Sequence, residues 1–403
     1  MDAEFFRGNR AALRKLFTGT APIVITANGL MQRSGDTAFP FRQDSNFFYL
    51  TGLSDPDLVL VMDKDREYLI LPERDDHLVT FDGGIETDSL SLLSGLNEVL
   101  DNKNGWLRLG SRLKKVRHAA VISAPPAFLT QNQLFTNPAR AQLISKIEDL
   151  NPGIELLDLR QHMAKLRAVK QPPEIDQLKR AIDLTATTFK KVMKKRGDWA
   201  SENQIEAEIS KHFTLAGAKH GYSPIIAGGI NACTLHYIKN SSSITPKNLL
   251  LIDAGAELEN YSADITRTYA LEEPTKRQRQ VYQAILEVKE LATSLLKPGI
   301  ALKEYEKAVH DFMGEKLREL GLIKTIEREN IQRYYPHGTS HFLGLDVHDV
   351  GDYSSPLEAG MVLTVEPGIY IPEESLGIRV EDDILITPSG VDVLSDQLGT
   401  DLW

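Results

Sequence analysis

The sequence predicts an α/β domain followed by an α+β domain, and three observations carry that reading. Before about residue 165, short apolar runs alternate with helical stretches, the order that builds a sheet covered by helices. At Pro172-Pro173 the chain meets two residues barred from a helix interior but suited to its first turn, which places a boundary near 165. Beyond it, long amphipathic stretches alternate with, and then give way to, strand-like runs.

Taken in order, residues 3–17 have the apolar spacing of a helix. PIVITA at 22–27, LVLVMD at 58–63 and EYLIL at 67–71 are short aliphatic runs that read as strands, and 138–149 reads as a second helix. The first domain, 1–165, is of about average size. In the second, 166–403, helices are expected at 174–196, 201–218, 274–296 and 303–320. The third of these puts Val281, Ile285, Val288 and Leu295 on one face, and Pro298-Gly299 ends it. Strands are expected at 249–254, 261–270, 361–366, 369–372 and 378–387, with mostly antiparallel pairing.

Composition narrows the function. Of 403 residues 25% are charged and the net charge is −10, which argues against nucleic acid as a partner. The single cysteine, Cys233, excludes an internal disulfide and reads as a small buried hydrophobe. The opening MDAEFFRGNRAALRKLF has no apolar signal core, and no run approaches the ~20 apolar residues of a membrane helix. A cytoplasmic protein without a membrane partner is expected.

The chemistry is concentrated in five short contexts, LLLIDAG, SADITRTY, HGTSHFLGLDVHD, LTVEPGIY and IRVEDDI, which hold Asp253, Asp264, His341, Glu366 and Glu381. Burying an unpaired carboxylate costs several kcal/mol or more, so acids set among Ile, Leu and Val imply a positive partner. Two divalent cations would cancel four carboxylates, with a neutral imidazole completing the shell. An oxygen-rich set with one nitrogen and no thiolate favours Mn²⁺, admits Zn²⁺, Co²⁺ or Fe²⁺, and disfavours a thiolate zinc or copper site. Asp253 and Asp264 lie on two runs joined by the turn-like AELENY, so a hairpin can bring them to one face. Arg379 and Glu381 are two apart, the same side of a strand, so the guanidinium could brace a ligand carboxylate.

Each residue alone has a plainer reading. Asp253 could form an Asx turn, Glu366 before Pro367-Gly368 could be turn chemistry, and Arg379 with Glu381 could be an exposed ion pair. Five contexts in one order outweigh these separate readings.

The motifs HGTSHFLGLDVHDVG, LTVEPGIYI and RVEDDILIT, preceded by LIDAG and SADITRTY, resemble the metal-site motifs of bacterial aminopeptidase P, of the pita-bread metallopeptidases. RQDSNFFYLTG at 42–52 is similar to a motif of that family's N-terminal domain, so the resemblance spans nearly the whole chain. It implies an α/β N-terminal domain and an α+β pita-bread (creatinase/aminopeptidase-like) catalytic domain. It further implies that Asp264 and Glu381 bridge two ions, that Asp253 completes one shell, and that His341 with Glu366 completes the other. A hydroxide held between the metals would then attack the scissile carbonyl, with Glu366 as proton acceptor and later donor. His236 and His348 resemble the family's substrate-side histidines, and His337 a further outer-sphere histidine. Tyr222, His236 and His348 are expected to line the proline pocket, and a dimer or tetramer is implied.

The expected substrate is a peptide with proline second. The Xaa-Pro bond is a tertiary amide without an N–H, and its ring fixes φ, so peptidases that grip an extended backbone handle it poorly. A dipeptidase of the prolidase type shares the ligand set but must bind a free proline carboxylate. A non-catalytic binding module or a creatinase-like protein would have lost ligands that this chain keeps.

Overall fold

A computed structural model describes residues 1–125, 129 and 133–402. The chain divides after Arg167 into two units. In the first, the strands are β1 Ile23–Thr26, β2 Gln32–Ser34, β3 Thr37–Ala38, β4 Val59–Met62, β5 Glu67–Ile70, β6 Glu98–Leu100, β7 His118–Val121 and β8 Glu155–Asp158. Six of them form one sheet in the order β6-β5-β4-β1-β7-β8. β4 runs antiparallel to β1 and β5, and the remaining pairs are parallel. All four residues of β4 are buried, as required of a strand covered on both faces. Val24, Val61, Ile70 and Val121 pack against Leu109 and Leu113 of helix Asn102–Leu113 and against Leu143 and Ile147 of helix Ala139–Leu150. The first helix, Ala3–Leu16, starts where the Asp2 carboxylate accepts the Phe5 N–H at 3.0 Å. The strands expected at 22–27, 58–63 and 67–71 are β1, β4 and β5. EVL, HAAV and ELLD lack the longer aliphatic runs that mark β1, β4 and β5, so the sequence does not signal β6, β7 and β8.

The second unit opens on helix Pro172–Lys194, whose two prolines occupy the first turn. The Gln171 N–H donates to Glu174 at 3.0 Å and completes a capping box. Helices Glu202–Leu215, Lys276–Leu295 and Leu302–Glu319 follow, each within a few residues of its expected span. The strands are β9 Lys219–His220, β10 Ile225–Gly228, β11 Leu249–Ala254, β12 Ala256–Leu258, β13 Tyr261–Ser262, β14 Ile265–Ala270, β15 Val362–Val365, β16 Gly368–Ile371, β17 Leu376–Arg379, β18 Asp382–Thr387 and β19 Gly390–Val393. They pair as β10-β11-β14, β13-β12-β9, β15-β18-β19 and β16-β17, antiparallel throughout the described residues. Val281, Ile285 and Val288 join Tyr305, Val309 and Met313 of the next helix beneath Leu363, Val365, Ile369 and Ile378.

Two expected strands are interrupted, and both breaks fall at acids of the candidate site. The run 261–270 splits at Ala263-Asp264, where the Asp264 N–H leaves the ladder and donates to the Asp383 carboxylate at 3.1 Å. The run 378–387 splits at Val380-Glu381 because the backbone changes partner there. Arg379 pairs with Gly368 in β16, whereas the Glu381 N–H donates to the Thr266 carbonyl of β14 at 3.0 Å. Period-two alternation does not carry across such a change.

Gly255, between β11 and β12, marks a close approach: an added Cβ would lie 1.7 Å from the Ala263 carbonyl oxygen and 3.0 Å from the Tyr222 ring. Gly255→Ala should therefore lower stability by at least about 1–3 kcal/mol, read as a lower urea midpoint with unchanged slope. A midpoint equal to that of the parent would show that the hairpin base is not packed this tightly.

Candidate metal centre

Strand ends deliver the acids. Asp253 is the fifth residue of β11 and pairs in register with Ile225 on one side and Thr266 on the other. Asp264 stands just before β14, Glu366 just after β15, and Glu381 between β17 and β18. His341 comes from an irregular segment pinned to β15, since the Thr364 N–H donates to the His341 carbonyl at 3.0 Å.

Short polar contacts tie these groups together. The Tyr222 hydroxyl lies between Asp253 Oδ1, at 2.5 Å, and Asp264 Oδ1, at 2.6 Å. The Thr266 hydroxyl donates to Glu381 Oε2 at 2.6 Å and accepts from Arg379 Nε at 3.0 Å. His341 Nε2 is 3.4 Å from Asp264 Oδ2 and 3.6 Å from Glu366 Oε1. Its Nδ1 lies 3.1 Å from the Phe342 carbonyl, so the Nδ1–H tautomer leaves Nε2 as the ligand atom. Among the described residues, Asp264, His341 and Glu381 offer three ligand atoms within 4.8 Å of one another.

The charge is out of balance in the protein alone. Four buried or nearly buried carboxylates face one guanidinium, Arg379, which pairs with Asp253. Burial and the neighbouring acids Asp264, Glu366 and Asp253 hold Glu381 well above the usual carboxylate range. Burial also raises Asp253 and Glu366 against the opposing pull of Arg379 on the first and of His341 on the second. Asp382, the very next residue, shows what protein cations do. Burial would raise it, but Arg267, at 2.6 Å, and Lys289 keep it well below its ordinary value. Glu381 has no such pair of cations. The donor set therefore fits a divalent cation: oxygen-rich, one correctly oriented imidazole, and a deficit of positive charge.

The histidines and aromatics arrange around this acid cluster. Arg379 Nη1 donates to the Tyr370 hydroxyl at 2.8 Å, and that hydroxyl lies 2.9 Å from His337 Nε2. His337 Nδ1 is 2.7 Å from the Gly338 carbonyl, so the ring is the Nδ1–H tautomer and accepts from Tyr370. Burial and then Arg379 push its pKa down to about 3. His348 packs against His341 with ring centroids 4.3 Å apart and planes tilted by 50°, and burial with the His341 charge lowers it to about 4. His236 is exposed and close enough to raise the cost of charging both His337 and His348.

The Arg379 guanidinium pairs with the Asp253 carboxylate, and its Nε donates to the Thr266 hydroxyl that in turn donates to Glu381. The Tyr222 hydroxyl is engaged by the two aspartates, and burial and then those acids raise its pKa well above the ordinary value. Residues absent from the sequence reading also hold the centre. Thr266, two residues after Asp264, could have been found by strand alternation. Glu306 could not: from helix Leu302–Glu319 its buried carboxylate accepts the N–H groups of Thr339 and Ser340 at 3.0 to 3.1 Å, clamping the segment between His337 and His341.

Comparison with known proteins follows the same division. Residues 176–388 match metallopeptidase family M24, and residues 6–118 match the aminopeptidase P N-terminal domain. The chain is 33% identical to the Xaa-Pro aminopeptidase of Escherichia coli K12, over 96% of this chain and 93% of that protein. It is 32% identical to human Xaa-Pro aminopeptidase 3, over 93% of this chain and 78% of that protein. The structure superposes on E. coli aminopeptidase P with the inhibitor Pro-Leu at a TM-score of 0.90 and 31% identity, covering 100% of this chain and 96% of that one. A zinc-substituted form of that enzyme in complex with product gives 0.88 at 30% identity with the same coverage.

Without metal, the acid cluster should weaken the fold in a pH-dependent way. Burial pulls His341 down, but the Asp264 hydrogen bond and Glu366 outweigh it and raise the ring from 6.5 to about 9. A raised pKa favours the folded state below 6.5 and loses that contribution as pH climbs toward 9, and the raised Glu366 acts in the same sense. His337 and His348 are already neutral above 6.5 and do not offset it. Chelation of metal-loaded protein should thus lower Tm more near pH 9 than near pH 6.5, by calorimetry. Equal losses at both ends would contradict the assignment.

Proposed function

The chain belongs to metallopeptidase family M24, and we infer that it is a metal-dependent aminopeptidase releasing the N-terminal residue from peptides with proline in the second position. The carrying observation is the unbalanced cluster of Asp253, Asp264, Glu366 and Glu381 with His341 turned toward it, in the α+β pita-bread domain of a chain similar to Xaa-Pro aminopeptidases along nearly its whole length.

We assign the five residues to a pair of divalent cations, with Mn²⁺ favoured by the oxygen-rich set. When bound, such a pair supplies Lewis acidity and a water of lowered pKa. The protein's own groups do the rest. Glu366 takes the proton of the attacking water and returns it to the leaving proline nitrogen. His236 and His348 hold the scissile carbonyl oxygen as charge develops on it. The neutral His337, ordered by Tyr370, is an outer partner of Glu366, from which its Nδ1 is 3.7 Å. Arg379 and Tyr222 fix Asp253 and Asp264. The proposal includes a cytoplasmic setting, supported by the lone half-buried Cys233, whose thiol burial raises, and a dimeric or tetrameric assembly, supported by the family. No helix of the described residues is long and apolar enough to cross a membrane.

Offered Xaa-Pro-Yaa tripeptides and Xaa-Pro dipeptides side by side, the metal-loaded enzyme should cleave the tripeptides preferentially. Preference for the dipeptide would indicate prolidase-type chemistry instead. Glu366→Gln removes the proton acceptor and should cut kcat by roughly 10²–10⁴-fold, measured beside metal content by elemental analysis. Activity near the parental value would remove Glu366 from proton transfer.

A further inference from the structure

Lys170 and Asp349 form an ion pair at 3.0 Å whose side chains are each only 1% exposed, outside the acid cluster described above. Replacing a buried pair by apolar groups of similar volume is often neutral or stabilising, so such a pair is poorly explained by stability alone. Its surroundings show what it fixes. The Lys170 N–H donates to the Gly360 carbonyl at 2.8 Å, and the next residue caps helix Pro172–Lys194, so the lysine stands on a rigid support. Asp349 follows His348 directly, and its own N–H donates to the Phe342 carbonyl at 2.8 Å, closing the segment that begins at His341. Gly344 lies against both partners: a Cβ there would be 2.2 Å from Asp349 Oδ2 and 2.9 Å from Lys170 Cε. The Gly344 carbonyl in turn accepts the Ser262 N–H at 3.0 Å, two residues before Asp264.

We propose that the buried Lys170–Asp349 pair is a positioning element that sets the place of the His348 ring against His341, and hence against the carbonyl oxygen of the substrate. This rests on the role given to His348 above. Asp349 is tethered by its backbone on one side and its carboxylate on the other, which leaves the adjacent His348 little freedom to rotate away. The two charges meet each other, and their link to His341 runs through the Phe342 carbonyl, so the effect expected is on turnover with metal retained.

The test is the double variant Lys170→Met with Asp349→Leu, which removes both charges together and leaves the nearby buried Glu174 its Gln171 N–H and Tyr261 hydroxyl. It should fold and bind metal as the parent does, while kcat falls roughly 10- to 100-fold, the cost of an ångström-scale misplacement, and KM changes far less. In a His348→Ala background the same two substitutions should cost nothing more in kcat, because the group they act through is gone. A double variant with parental kcat, a loss of metal alongside activity, or fully additive losses with His348→Ala would each overturn the proposal. If the double variant does not accumulate, Gly344→Ala keeps both charges but displaces them, and the same fall in kcat with metal retained is expected. Parental kcat there would equally overturn it. If His348→Ala alone leaves kcat unchanged, the fault lies in the role given to His348 and not in the positioning step.

Discussion

Surplus buried negative charge is the constraint around which the second domain is organised. Asp253, Asp264, Glu366 and Glu381 converge where, among the described residues, Arg379 is the one Lys or Arg paired within the cluster. A protein that needed only to fold would neutralise these acids internally, as it does a single residue away. Asp382 is held by Arg267, Lys289 and the Ser395 hydroxyl and stays ionised despite complete burial. The contrast between Glu381 and Asp382 shows that the imbalance is local to the side of the sheet where a cation is wanted.

The fold tolerates this imbalance by holding Asp253, Asp264 and Glu381 with neutral hydroxyl donors, Asp253 being paired with Arg379 as well. Tyr222 serves Asp253 and Asp264, Thr266 serves Glu381, and the Asp264 backbone N–H is taken by Asp383. The Asp383 Oδ1 atom is buried with no hydrogen-bond partner among the described residues. Hydroxyl donors satisfy lone pairs without cancelling charge, so they orient the carboxylates while leaving the electrostatic demand for a cation intact. Glu306 applies the same logic to the backbone between His337 and His341, using a carboxylate to hold two amides. Such supports are the means by which a metal site acquires its geometry before the metal arrives.

The histidines show division of labour set by environment. His341, facing Asp264 and Glu366, is pulled toward the charged form in the metal-free protein, whereas burial, reinforced by Arg379 at His337 and by His341 at His348, keeps those two neutral. His337 is further locked as one tautomer by the Gly338 carbonyl and the Tyr370 hydroxyl. Three imidazoles within one cleft thus present different protonation states, and neighbouring charge rather than sequence context decides which.

The sequence by itself determined the two-domain plan, the longer helices, the central strands and the acid-bearing motifs. Those signals are local: apolar periodicity in Val281, Ile285 and Val288, two prolines suited to a helix start, and acids where an apolar strand would otherwise continue. What only the tertiary structure decided are the points where the chain changes partner. The break at Val380-Glu381, the choice of Asp253 as the acid paired with Arg379, and the engagement of Tyr222 with two aspartates all depend on segments more than thirty residues apart or on ladder exchanges. Glu306 lies 33 residues from the Thr339 amide it holds, and Lys170 lies 179 residues from Asp349. A side chain's periodicity reports which face it occupies, but which group meets it across that face is set by packing, and packing is not written in any single stretch of chain.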